Sequence, residues 1–261
     1  MPLPQDKLDH LARVDVCIPS LQPLSDEFVS HLKNRMPVHC LLTSSVRGRG
    51  RARQDLIERV DTDWFAFVDD DVRLRPNWWS KVSEMAEPGV GGIEGLWSYA
   101  LSDKRVDDYA RAMAKLASLL GRSAWTEKID RAFTGDTLIR TESVRQIRIP
   151  DINIYEDEYI RRFSERRGFA WLRTPEVVCD HLRTYNLKEA YEAGKYAHYF
   201  GELSASKEIK RLAQLPVKLA FCLAYTRNLR AGTFEVKREV RVLQGFIHAH
   251  AQGSISLRFS P

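Results

Sequence analysis

The 261-residue chain has no uninterrupted apolar run of the kind that crosses a bilayer, which takes about 18 residues or more. Residues 1–11 are largely polar, so no basic-plus-apolar leader is expected. Cysteine is scarce: Cys17, Cys40, Cys179 and Cys222 lie far apart and none forms a Cys-x-x-Cys pair, which argues against a disulfide framework or a zinc knuckle. Three sit in apolar strand-like runs and one in a helix-like run, so all four are expected as small buried thiols in a reducing compartment. Neither the Gly-x-x-x-x-Gly-Lys loop of ATP sites nor a Gly-x-Gly-x-x-Gly following a strand is present. Neither sign of charge dominates: 40 Lys and Arg against 35 Asp and Glu leave a net +5. That surplus permits attraction to an anionic small molecule, nucleic acid or membrane and identifies none of them. The expected location is cytoplasmic, with peripheral attachment at the cytoplasmic membrane face left open.

What is present is enough for a core. Apolar residues make up 44% and aromatics 10%, which excludes general disorder, and the length suits one large domain or a domain with an appended lobe. The organising stretch is Phe65-Ala66-Phe67-Val68-Asp69-Asp70-Asp71-Val72. Four apolar residues read as an inner strand that delivers three carboxylates to the rim of the core, where open α/β sheets collect ligands. Adjacent carboxylates oppose one another's ionisation, so a cation is expected beside them. In an extended segment Asp69 and Asp71 point one way and Asp70 the other. An all-oxygen set favours Mg²⁺ or Mn²⁺ over zinc; a solvated acidic turn is the plainer alternative.

Before this stretch, residues 14–18 and 38–42 read as strands and residues 27–32 and 52–60 as helices, the alternation of a mostly parallel sheet. Arg47-Gly48-Arg49-Gly50-Arg51 reads either as a basic nucleic-acid contact, with a small footprint, or as a loop offering arginines to phosphate oxygens. Arg53 and Gln54 then line a donor pocket or belong to ordinary helix surface. Further on come a glycine-bearing strand at 90–95, a helix at 103–120, a loop at 121–128 and a strand after Gly135-Asp136. Glu156 and Asp157 open a helix, where a stiff, partly desolvated carboxylate suits a general base or simply caps the helix. Residues 169–172 and 176–179 read as two strands about a turn at Thr174-Pro175, followed by Asp180-His181, whose imidazole could complete a metal site begun by Asp71. Residues 187–200, 206–225 and 238–250 are helical in pattern. The second is amphipathic and basic, suiting core packing, a second subunit or a membrane interface, and residues 253–261 read as a loose tail.

Taken together, Val-Cys-Ile-Pro-Ser at 16–20, residues 52–79, Phe-Thr-Gly-Asp at 133–136, Tyr-Glu-Asp-Glu at 155–158 and Val-Val-Cys-Asp-His-Leu-Arg at 177–183 resemble the inverting glycosyltransferases of family 2, with the GT-A fold. The resemblance spans about residues 13–200. It implies an α/β fold with a GT-A-like, mostly parallel sheet flanked by helices, as a catalytic domain at 1–203, and a helical C-terminal extension at 204–261.

By the same resemblance, Asp69, Asp71 and His181 form the site of Mn²⁺ or Mg²⁺, with Asp70 as an alternative ligand. Pro19, Ser20, Arg53, Asp69 and Asp70 line the donor site. Asp157 is the base with Glu156 as its fallback, and Asp136 orients donor sugar or acceptor. The implied donor is a nucleotide sugar, UDP- or GDP-linked, and the acceptor a glycan, a lipid-linked saccharide or a lipid phosphate. Where family members carry an acidic signature after the second strand, this chain reads Leu-Leu-Thr-Ser-Ser, so Asp15 is a candidate to replace the missing contact. The other function classes are a nucleotidyltransferase and a basic, non-catalytic nucleic-acid-binding module; no nucleic-acid partner is expected.

Overall fold

In a computed structural model, which describes residues 11–120, 131–201 and 204–252, the chain divides into two compact units. Unit 1 is Met1–Ser98 with Lys128–Leu182; unit 2 is Tyr99–Glu127 with Arg183–Pro261. The loop expected at 121–128 falls almost wholly, and the tail at 253–261 wholly, outside the described residues.

Unit 1 holds strands β1 (Val14–Pro19), β2 (Val38–Ser44), β3 (Trp64–Val68), β4 (Val72–Leu74), β5 (Val90–Ser98), β6 (Asp136–Arg140) and β7 (Ala170–His181). Its helices are α1 (Asp26–Lys33), α2 (Arg49–Ile57), α3 (Trp78–Glu84) and, after β6, α5 (Glu156–Arg166). The strands form one sheet in the order β2-β1-β3-β6-β5-β7-β4. β2, β1 and β3 run parallel, as do β5 and β7, while β6 opposes both its neighbours and β4 opposes β7, so the sheet is mixed. Every residue of β3 is buried, the signature of a strand covered on both faces. Val16, Ile18, Ala66, Val68, Ile93 and Leu138 share the main core.

This topology brings distant residues to one edge. β1 and β3 both end there, at Pro19 and Val68, and Val68 pairs with Asp136 because β6 starts where β3 stops. β7 finishes beside β4, with His181 opposite Val72.

Two local readings change. Instead of two strands about a turn, residues 170–181 form one strand. Its register against β5 slips between Glu94 and Leu96, and the Thr174 hydroxyl accepts from the Leu96 amide (2.8 Å) in place of a ladder bond. Such an irregularity accommodates Pro175, which has no N–H to give. Cys17, Cys179 and Cys222 are buried, whereas Cys40 is exposed, because β2 is the edge of the sheet.

Unit 2 is helical: α4 (Lys104–Leu119), α6 (Leu187–Tyr199), α7 (Ala205–Thr226) and α8 (Leu229–Ala251). It takes in helices from both sides of residue 203. α6 and α8 approach backbone to backbone through Gly194 and Gly245, where an added Cβ would lie 2.0 Å from the Val242 carbonyl oxygen and 1.9 Å from that of Tyr191. No described helix is long and apolar enough to cross a membrane.

Candidate active site

At the shared edge of unit 1, the acidic triplet is a turn rather than a continuation of β3. The Val72 amide donates to the Asp69 carbonyl (3.1 Å) and the Asp69 amide to Gly135 (2.9 Å). The strand alternation therefore stops at Val68 and the three carboxylates go separate ways. Asp70 accepts from the Ser20 hydroxyl (2.6 Å), which ties the turn to the loop after β1. Pro19 lies opposite Ser44 across β1 and β2. Asp69 accepts from Arg53 (3.2 Å), and Asp71 faces His181, Oδ1 to Nε2, at 3.8 Å.

Arg53 links the turn to a segment a hundred residues away. The residue is 3% exposed, and its guanidinium donates to Glu156 at 2.6 Å as well as to Asp69 and lies over the Phe67 ring. Burial opposes its charge, and Asp69, Glu156 and Asp157 more than offset that. The arginine-glycine segment makes this placement possible by becoming helix from Arg49 on. α2 begins at Arg49, and the Gly50 amide donates to the Ile152 carbonyl (2.9 Å). A Cβ at Gly50 would lie 2.5 Å from the Pro150 carbonyl oxygen, so only glycine lets α2 dock so closely on the approach to α5.

α5 opens on the Glu156-Asp157 pair. Tyr155, just before it, has φ +73°, a left-handed conformation costly for a bulky residue and concentrated at functional sites; Arg131 stacks 4.3 Å above its ring. Burial and the Asp157 charge push Glu156 up to about 7, against the pull of Arg53. Glu156 Oε2, Asp157 Oδ1 and Arg53 Nε are buried without a hydrogen-bond partner, an uncommon condition for buried polar groups. Glu158, one residue on, is in contrast saturated by the Ala132 amide, Arg161 and Arg162.

Asp136 opens β6 opposite Val68, beside the acidic turn. It is fully buried, accepts from the Cys179 thiol at 2.9 Å, and burial pushes its carboxyl well above the usual range, with Glu94 and Asp69 adding to the rise. Asp15 lies at the other end of β1, where it takes His39 Nδ1 (2.9 Å) and the Asp61 amide (2.8 Å); it does not reach the loop after β2 and does not supply the missing contact.

Asp71 and His181 fit a divalent cation. Their donor types suit Mg²⁺ or Mn²⁺, and Mg²⁺ typically takes one or two carboxylates and completes its shell with water and substrate phosphate. Asp69, turned toward Arg53, does not join them: among the described residues no three His, Cys, Asp or Glu side chains gather to hold a metal.

Two ion pairs beside the site have no counterpart in the sequence reading. Arg75 grips Asp180 with two bonds, 3.0 and 2.7 Å, on the residue before His181. Arg173 grips Glu94, which also accepts from Trp171 and the Phe133 amide. Paired carboxylates and arginines about 80 to 100 residues apart carry no sequence signal except the chemistry of each residue.

The model of the family described as "Glycosyl transferase family 2" matches residues 23–148. Residues 23–148, just under half of the chain, belong to this family. The chain is accordingly a glycosyltransferase of the nucleotide-sugar type, and its mixed sheet with flanking helices is GT-A-like. Among curated proteins none matches the chain. Solved structures similar to it include glucosyl-3-phosphoglycerate synthase from Mycobacterium tuberculosis in complex with Mn²⁺, UDP and phosphoglyceric acid, at 13% identity, TM-score 0.48, covering 72% of this chain and 76% of that one. A mannosyltransferase from Pyrobaculum calidifontis in complex with GDP-Man and Mn²⁺ is 14% identical with TM-score 0.48, covering 93% and 76%. The A197 protein from STIV is 19% identical with TM-score 0.40, covering 62% and 82%.

Proposed function

We propose that unit 1 transfers a sugar, with inversion, from a nucleoside diphosphate to an acceptor hydroxyl or a lipid phosphate. The observation that carries this reading is Arg53, which joins the acidic turn to a Glu-Asp pair whose Asp157 Oδ1 is buried and unpartnered. Asp157 acts as the base: the acceptor oxygen bonds the anomeric carbon, the carbon–oxygen bond to phosphate breaks toward the diphosphate, and the acceptor proton passes to Oδ1. A single displacement from the opposite face inverts the anomeric centre. Glu156, held by Arg53, positions the start of α5, and Ser20 with Asp70 borders the nucleotide.

Asp71 and His181 would hold Mn²⁺ or Mg²⁺, which when bound supplies Lewis acidity toward the departing diphosphate. A lipid phosphate is already ionised at neutral pH, so with that acceptor the Asp157 base is needed less. The buried Asp136, whose carboxyl burial pushes toward the neutral form, serves as a support beneath the acidic turn, in place of a direct hold on donor sugar or acceptor.

The test is a panel of UDP- and GDP-sugars with Mn²⁺, read as donor hydrolysis and as anomer-resolved transfer by NMR. Wild type is expected to turn over at least one donor with inversion, and Asp71→Asn to lose Mn²⁺-dependent nucleotide binding while its melting curve is retained. Retention of anomeric configuration, or full activity of Asp71→Asn under strict chelation, would sink the reading.

A further inference from the structure

Unit 2 carries a helix with two apolar faces. On one face of α7, Leu212, Leu215 and Leu219 are partly buried and Cys222 is fully buried, Cys222 clustering with Ala112 and Ala231. On the other, Ile209, Ala213, Pro216, Val217, Ala220 and Leu223 recur at helical intervals and are all exposed, Ile209 by 67% and Val217 by 64%. A helix that is apolar on more than one side is ordinarily covered on each.

Cations mark what would cover the open face. Lys210 and Arg227 border it, both exposed. Where α7 ends, a cleft of about 810 Å³ is lined by Lys104, Arg111, Tyr225, Arg227, Leu229 and Arg230, together with Asp108. Asp108 is already engaged by Lys104, Arg111 and Asn228. Among the described residues neither Arg227 nor Arg230 has an ion-pair partner. Arg230 also lines a second cleft, of about 540 Å³, with Arg105 and Lys237. A second copy of the chain would present the same positive sign and be repelled, whereas an anionic lipid surface complements both the stripe and its charges. Because no described helix can cross a membrane, α7 would lie in the surface.

We propose that unit 2 docks on an anionic membrane, with α7 in the interface, Ile209, Val217 and Leu223 among the acyl chains, and Arg227 and Arg230 at headgroup phosphates. This deepens the open membrane reading and stands independently of the transferase chemistry.

The full chain, without sugar nucleotide, is sedimented with phosphatidylcholine vesicles with and without phosphatidylglycerol. Binding is expected only with phosphatidylglycerol, weakened by salt, abolished in Val217→Asp/Leu223→Asp and roughly 30-fold weaker in Arg227→Glu/Arg230→Glu. Circular dichroism and donor hydrolysis establish that the variants are folded. Absence of wild-type binding, equal binding to neutral vesicles, or folded stripe variants that bind normally would overturn the proposal. So would a wild-type dimer in light scattering that Val217→Asp/Leu223→Asp dissociates. Loss of hydrolysis with vesicle binding intact counts against the transferase reading alone.

Discussion

Both units hold an arginine between two buried or partly buried carboxylates, and the two arrangements differ in what they leave unpaired. In unit 2, Arg238 donates twice to Glu235, at 2.7 and 2.6 Å, and once to Glu239, at 2.6 Å, and no atom of these groups is left buried without a partner. In unit 1, Arg53 reaches Asp69 and Glu156 but leaves its own Nε, Glu156 Oε2 and Asp157 Oδ1 without partners. A closed network is complete in itself and fixes how helices pack. An open one has hydrogen-bonding capacity that only something outside the chain can use. The cost of burying unpaired polar atoms, about 1–3 kcal/mol each, argues that the second arrangement is kept for chemistry.

The largest effect that sharpens this contrast is expected from Asp157→Asn. It should lower transfer to a hydroxyl acceptor by roughly 10²- to 10⁴-fold with a melting curve close to wild type; a loss of less than threefold would remove Asp157 as the base. Next, Arg53→Met should destabilise unit 1 by about 3–5 kcal/mol, because Glu156 then stays buried without its countercharge. Urea unfolding measures this, and adding Glu156→Gln should restore much of the loss while activity stays absent. Arg238→Met should cost about as much, yet the protein that remains folded should hydrolyse donor at the wild-type rate. If Arg238→Met impaired hydrolysis as deeply as Arg53→Met, the distinction between the closed and open networks would fail.

The smallest effect is in pH dependence. Glu156 rises from 4.5 to about 7 on folding, so the folded state holds its proton more tightly than the unfolded chain does. Its contribution is fully present below pH 4.5 and is lost as the pH climbs through about 7. Stability measured by urea across that window should therefore fall less steeply with pH in Glu156→Gln than in wild type.

Much of this was readable before any coordinates. Phe65 to Val68 announced a buried strand, Asp69 to Asp71 a cation-seeking rim, and Glu156-Asp157 a helix start, because burial, like-charge repulsion and helix-end electrostatics act over a few residues. Readings that required geometry beyond the local period changed. The alternation assigned to Asp69 and Asp71 ended one residue too early for it to hold, the arginine-glycine segment became helix from Arg49 on because Gly50 could touch the 150–152 backbone, and Thr174-Pro175 bulged instead of turning.

The sequence by itself determined which residues are apolar enough to form the sheet and which carboxylates must find countercharge. Only the tertiary structure decided that Arg53 would serve Asp69 and Glu156 together, and that Asp71 would meet His181. The second pairing follows from β4 running against β7 and the first from α2 docking on the 150–152 backbone, long-range contacts that no local run of residues encodes.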